Sequence, residues 1–256
     1  MENLARILPF LALKVSAEYW GNCFYDVGTA LRTPYGKPAR STSDVLLQGA
    51  LDATGNRWWG GLPSHILKNA AQRMIYAKQL SPYGDDYYKE LRELDLEGKT
   101  ALEFGCGAGA DALLLTQLGA NVVAVDICPS NCEVTSRVLA DSPKDNNVFL
   151  LTDYGQMDIL PLVDVILAHG VIHHITDKWD QYVVDKLKER LLPGGYFVLM
   201  LYTRKFYKAP IAWGEEGPFT RGYSKAQTRE LMTGMELVSY REVMDGTFAW
   251  SVFKKT

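Results

Sequence analysis

Residues 100–126 constrain this chain most. An apolar run over 100–104 meets the glycine-rich turn Gly105-Cys-Gly-Ala-Gly109, and a second apolar run over 122–125 ends in Asp126. A buried strand entering a glycine turn that opens a helix, with a carboxylate delivered by the next strand about 20 residues on, is the βαβ nucleoside-binding arrangement. Glycine is required because the main chain turns sharply and lies flat against a ligand, where a Cβ collides with it.

Gly105, Gly107 and Ala110 also satisfy the G-x-G-x-x-G/A spacing of a dinucleotide site, in which a helix N-terminus holds a pyrophosphate. Glu103 shifts the balance. A carboxylate two residues before the first glycine repels a diphosphate and suits a ligand that presents an ammonium and a sulfonium. S-adenosylmethionine (SAM) is such a ligand.

From about residue 94 to the C-terminus the sequence resembles the class I SAM-dependent methyltransferases. Glu103-Phe-Gly-Cys-Gly-Ala-Gly109 is similar to the family's first motif, and Asp126 stands where its ribose-binding acid falls. Asp153-Tyr154 resembles the pair that meets the adenine. Asp164-Val-Ile-Leu-Ala-His-Gly-Val-Ile-His-His174 resembles the fourth strand and its exit loop, and Leu192-Pro-Gly-Gly-Tyr-Phe-Val-Leu199 the turn into the fifth. The resemblance implies a cofactor set of Glu103, Gly105, Cys106, Gly107, Gly109, Asp126, Ile127, Asp153, Tyr154 and His169. It adds Tyr88 as a lid contact to the methionine carboxylate, with Tyr83 and Tyr87 nearby.

Composition agrees. A chain of 256 residues, 47% hydrophobic, accommodates one α/β unit with an added cap. The net charge of -3 and the lack of any Lys/Arg cluster beyond Lys254-Lys255 argue against a nucleic-acid partner. The apolar start over 1–14 carries Glu2 before Arg6 and is too short to span a bilayer, so it reads as an amphipathic helix of the cap, with a place on a membrane surface as the lesser alternative and no membrane partner expected. Cys23, Cys106, Cys128 and Cys132 form no disulfide framework, and the i, i+4 pair Cys128/Cys132 has no second ligand pair, so no metal is expected. A reduced cytoplasmic protein follows, its oligomeric state open.

Before residue 94 the pattern is helical. Ser64 after Pro63 caps a helix through residue 80 with the stripe Ile66, Leu67, Ala70, Met74 and Ala77, and a second helix covers 85–94. From residue 99 apolar strands at 100–104, 122–126, 148–152, 163–168 and 196–202 alternate with helices, one opened by a Ser130/Glu133 capping box and one over 177–191. The runs 236–243 and 247–254 flank Met244-Asp-Gly246, a hairpin signal. The resulting expectation is a Rossmann-like α/β fold: a seven-stranded, mostly parallel sheet, helices on both faces and an antiparallel C-terminal hairpin. An N-terminal helical cap occupies 1–97 and the SAM-binding core 98–256. The long aromatic connection at 203–223 covers the acceptor.

Three of the four histidines, His169, His173 and His174, follow the fourth strand. In an open α/β sheet the C-terminal strand ends form the ligand crevice, so these imidazoles are the candidate bases, His174 first. Tyr19, Trp20, Tyr202, Trp213 and Arg221 are the candidate acceptor contacts, with Trp58 and Trp59 beside them. The expected activity is methyl transfer from SAM to a small organic acceptor at nitrogen, oxygen or carbon. The alternatives are a protein or tRNA methyltransferase, for which no Asp/Asn-Pro-Pro-Tyr or Pro-Cys motif is present, and a SAM-binding regulatory subunit without turnover.

Overall fold

The computed structural model describes residues 63–79, 88–176, 179–205, 220–243 and 245–256. The expected helix over 1–14, the candidates Tyr19, Trp20, Trp58, Trp59, Tyr83, Tyr87 and Trp213, and Cys23 lie outside the described residues.

Seven strands form one sheet in the order β3-β2-β1-β4-β5-β7-β6. They are β1 (Thr100–Phe104), β2 (Asn121–Asp126), β3 (Asn147–Leu150), β4 (Val163–His169), β5 (Leu191–Tyr202), β6 (Glu236–Val243) and β7 (Phe248–Lys254). β7 runs antiparallel to both β5 and β6, and every other pairing is parallel. The order reverses between β1 and β4, which opens a crevice at their C-terminal ends. The glycine turn lies there.

Both faces of the sheet are covered, which is why the parallel strands read as nearly continuous apolar runs. Period two still sorts them. Ala101, Val122, Ala124, Val165, Leu167, Val198, Met200 and Trp250 pack with residues of α1 (Ser64–Gln79), α2 (Lys89–Glu93), α3 (Ala110–Gln117) and α4 (Pro129–Leu139). Leu102, Phe104, Val123, Val125, Ile166, Ala168, Phe197, Leu199 and Phe253 pack on the other face with α5 (Asp180–Arg190), α6 (Lys225–Leu231) and a 3-10 helix, Tyr154–Ile159. Glu103, Asp126 and His169 share the parity of the first set, so alternation aims three site side chains at one face.

Several expected boundaries move. The helix after β2 starts at Pro129, with Cys128 as N-cap and no side-chain cap, so the Ser130/Glu133 box does not form. Proline at N1 sets the helical φ there, and the Asp126 carboxylate supplies the acceptor instead by taking the Cys128 amide. β3 ends at Leu150, because Asp153 and Gln156 make a capping box for the 3-10 helix. α5 begins at Asp180, later than residue 177. Ser224 and Gln227 cap α6 reciprocally. The hairpin forms as read, with Asp245 and Gly246 at positive φ and the Gly246 amide donating to the Val243 carbonyl.

In α1, Leu67, Ala70, Ala71 and Ile75 are buried in the core cluster that includes α3 and α4. Ala71 and Ile75 extend the expected stripe, so the face of this helix is set by the core it meets. The α2 residue Glu90 receives both Nε and Nη2 of Arg241 from β6, which ties the segment before β1 to the far edge of the sheet.

Candidate active site

The glycine turn is held from β2 and α4. Oδ2 of Asp126 accepts from the Gly107 amide at 2.9 Å, and Oδ1 accepts from the Cys128 amide at 2.9 Å and from Nδ2 of Asn131 at 3.2 Å. The Thr135 hydroxyl donates to the Gly107 carbonyl at 3.1 Å. Burial pushes the Asp126 carboxyl up from the usual carboxylate range, while these donors pull it back. Cys106 is buried in the same turn, and burial together with the nearby Asp126 and Glu103 pushes its thiol well up.

Gly105, Gly107 and Gly109 all have positive φ, at 82°, 51° and 78°. A Cβ on Gly105 lies 2.6 Å from Cγ2 of Val171, in the loop after β4. The turn thus packs directly on the loop that carries the histidines, with no room for a side chain between.

Around this cradle stand three carboxylates: Glu103 (2% exposed), Asp111 and Asp126 (each 7%). A diphosphate at the turn meets like charge from Glu103 and Asp126. A ribose diol and a cationic amino-acid tail meet acceptors instead, so the residues present fit SAM.

Asp111 and its partners were not legible as a set. From the first turn of α3, Oδ1 of Asp111 accepts from the Tyr88 hydroxyl at 2.5 Å, and Oδ2 is hydrogen-bonded to Nδ1 of His169. Tyr88 is fully buried and holds a left-handed backbone, φ 63°, just before α2. The His169 ring lies 5.0 Å from the ring of Trp250 and meets Tyr88 edge-on at 6.1 Å. His169, Met200 and Trp250 stand in register across β4, β5 and β7, so the sheet itself sets this row. A lone acid inside the apolar helix sequence of α3 was the available signal, because a buried carboxylate requires a partner.

The structure separates the three histidines. His173 is fully buried, and its Nδ1 accepts from the Tyr202 amide at 3.1 Å, so its proton resides on Nε2. Burial, reinforced by His174, His169 and Arg221, holds it well below the ordinary histidine range. Nδ1 of His174 is hydrogen-bonded to the Thr220 hydroxyl at 2.7 Å, and burial lowers its pKa to about 3. A nitrogen that reluctant to take a proton is a weak base; the His173 ring joins the loop after β4 to β5, and the His174 ring joins it to the segment around Thr220. His169 differs from both in having the Asp111 carboxylate on its Nδ1.

Among the other expected contacts, Asp153 spends one oxygen on the Gly155 amide, at 2.6 Å. Tyr154 is buried in the opposite-face cluster, its phenol pushed up by that burial, while Ile127 lies partly buried against the same cluster. The Tyr202 ring stacks on His173 at 3.8 Å and is buried. Arg221 makes an ion pair with Asp180, and both Arg221 and Asp180 are bonded to the Tyr223 hydroxyl. Thr203 bridges to Tyr223, which closes the neck of the 203–223 connection. Among the described residues no cluster of three His, Cys, Asp or Glu side chains is placed to hold a metal ion, and no helix is long and apolar enough to cross a membrane.

A methyltransferase-domain family model matches residues 102–197, which span the glycine turn, β2, β4 and the start of β5. A ubiquinone biosynthesis O-methyltransferase of Bradyrhizobium sp. (strain ORS 278) is 31% identical over 175 residues, 67% of each chain. The chain belongs to the class I SAM-dependent methyltransferases. Its cofactor is S-adenosylmethionine. This methyltransferase spans 41% and 55% of the length of two further relatives of that description, from Nitrobacter winogradskyi and Azorhizobium caulinodans. Its fold resembles that of magnesium protoporphyrin IX methyltransferase from Synechocystis PCC 6803, solved with bound S-adenosylhomocysteine (SAH). The TM-score is 0.59 at 13% identity, with 95% of this chain and 99% of that one covered.

Proposed function

We propose that this methyltransferase transfers the SAM methyl group to a hydroxyl oxygen of a small organic molecule. The observation that carries the reading is its similarity to the Bradyrhizobium O-methyltransferase across two thirds of both chains. The net charge of -3 and the lack of a basic stripe support a small acceptor over RNA.

When bound, SAM supplies a methyl group already activated on a sulfonium. The protein's part is alignment, exclusion of water and removal of one proton. Asp126 faces the ribose hydroxyls, Glu103 the amino group, and Asp153 with Tyr154 and Ile127 the adenine. Val171 seals the glycine turn against the loop after β4, where Gly170 leads from His169. An alcohol or phenol must lose its proton as its oxygen attacks, and His169 at the end of β4 accepts it. Arg221, at the neck of the 203–223 connection, borders the acceptor.

The test is transfer of label from methyl-labelled SAM to a panel of phenols, catechols, alcohols, amines and thiols, with peptide and RNA fractions in parallel. Label recovered as methyl ethers supports the reading. Label confined to amines, peptides or RNA overturns it.

A further inference from the structure

We propose that residues 171–174 are a coupling element between the cofactor and acceptor sites: they join the glycine turn to both flanks of the 203–223 connection, so that SAM in the turn fixes those flanks in place. The inference takes from the reading above only that this connection borders the acceptor.

At one end of this short loop Val171 packs on the glycine turn, where a Cβ on Gly105 stands 2.6 Å from its Cγ2 and 2.9 Å from its Cβ. At the other end His173 holds both flanks at once. Its Nδ1 accepts from the Tyr202 amide at 3.1 Å, and its carbonyl accepts from the Arg221 amide at 3.0 Å. The Tyr202 ring lies on the His173 ring, and the Tyr202 carbonyl accepts from the Tyr223 amide at 2.8 Å, which ties the two flanks to each other. His174 adds the Thr220 hydroxyl at 2.7 Å. The chain on either side of the connection therefore meets on two consecutive histidines.

Between these contacts the loop behaves as one piece. The His174 amide donates to the Val171 carbonyl at 3.0 Å and closes a single 3-10 turn, and Ile172 inside it is fully buried in the opposite-face core. Close-packed interiors transmit displacement instead of absorbing it. A glycine turn settled on its ligand thus presents a fixed Val171, and with it fixed positions for His173 and His174. The flanks have two states, docked on the histidines or locally open, and the occupied turn favours the docked one. Linkage makes the effect reciprocal, so breaking a flank contact weakens cofactor binding. Protein that already holds SAM is then the form that receives the acceptor.

The experiment is amide hydrogen exchange of the full chain with and without saturating SAH, read by NMR. The amides of Tyr202, Arg221 and Tyr223 are expected to exchange about fivefold more slowly with SAH. Those of Gly194 and Lys255, paired with each other's segments at the opposite end of β5, keep their rates. Val171→Ala is expected to bind SAH and to lose most of the difference at Arg221 and Tyr223. Thr220→Val removes the hydroxyl on His174 and is expected to weaken SAH about fivefold by calorimetry, with Thr220→Ser restoring it. Unchanged exchange at Tyr202, Arg221 and Tyr223 overturns the proposal. So does equal slowing at Gly194 and Lys255, which reports stabilisation of the whole fold, or a full SAH effect retained in Val171→Ala. Wild-type SAH affinity in Thr220→Val removes the reciprocity and the coupling with it. Because no acceptor is used, failure here ends the coupling with the hydroxyl reading intact, whereas label confined to amines ends that reading alone.

Discussion

Asp126 receives the Gly107 amide at 2.9 Å, so the last residue of the second strand holds the middle of the glycine turn. The carboxylate proposed to face the ribose and the shape of the turn are therefore one structure. Asp126→Ala leaves three donors without their acceptor, and loss of a buried acceptor costs about 1–3 kcal/mol. Both Asp126→Ala and Glu103→Ala are expected to weaken SAM binding by at least tenfold, about 1.4 kcal/mol. Calorimetry measures the affinities and urea unfolding the stability. Unchanged affinity in both variants contradicts the placement of the cofactor.

Gly105→Ala puts a side chain into a left-handed backbone at φ 82° and a Cβ 2.6 Å from Val171. The conformation alone costs on the order of 1–3 kcal/mol, and Val171 must also shift. A lowered unfolding midpoint together with lost SAM binding is expected. Wild-type binding in this variant is the result that rules out a tight turn against the post-β4 loop.

Stability should fall in acid. Burial lowers His174 to about 3 and His173 well below its ordinary value, so both are neutral in the folded state where the unfolded chain, with pKa about 6.5, is already protonated. The unfolded state thus binds more protons between these values, and unfolding free energy rises with pH across that window. The contribution is complete above about pH 6.5 and is lost as pH falls toward 3, at up to about 1.4 kcal/mol per pH unit for each ring. Urea titrations near neutrality and near about pH 5 measure the slope, and His174→Asn should flatten it. An unaltered slope in that variant assigns the acid sensitivity to other groups.

Cys106, Cys128 and Cys132 are buried, and burial pushes the Cys132 thiol up to about 12. Thiolate is the reactive form, so all three should resist a thiol reagent at neutral pH in folded protein and react once urea is added. Peptide mapping after labelling distinguishes them. Rapid labelling of Cys106 in the folded protein is incompatible with a packed cofactor turn.

The strands were legible because fully covered parallel strands are apolar throughout, and the hairpin because Asp245-Gly246 takes the left-handed backbone that a tight turn needs. Ends were less legible where two signals competed. At α4 the Ser130/Glu133 pattern lost to Pro129 and to the Asp126 carboxylate, an acceptor that arrives from outside the helix. At β3 the Asp153/Gln156 capping box cut the strand short.

The histidines show the same division at the site. Their position after β4 follows from order along the chain, but their chemistry does not. His173 and His174 differ from His169 because one pair is enclosed between β5 and the segment around Thr220, while the other ring meets Asp111 across 58 residues of sequence.

What the sequence determined by itself was the succession of strands along the chain, the glycine turn, and the acids Glu103 and Asp126 that flank it, since these depend on local periodicity and on residue chemistry at short range. Only the tertiary structure decided that His173 and His174 are enclosed while His169 meets a carboxylate. Burial, tautomer and charge partner are properties of packing between distant segments, and the contact of Tyr88 with Asp111 exists only once the chain before β1 has closed over the helix that follows it.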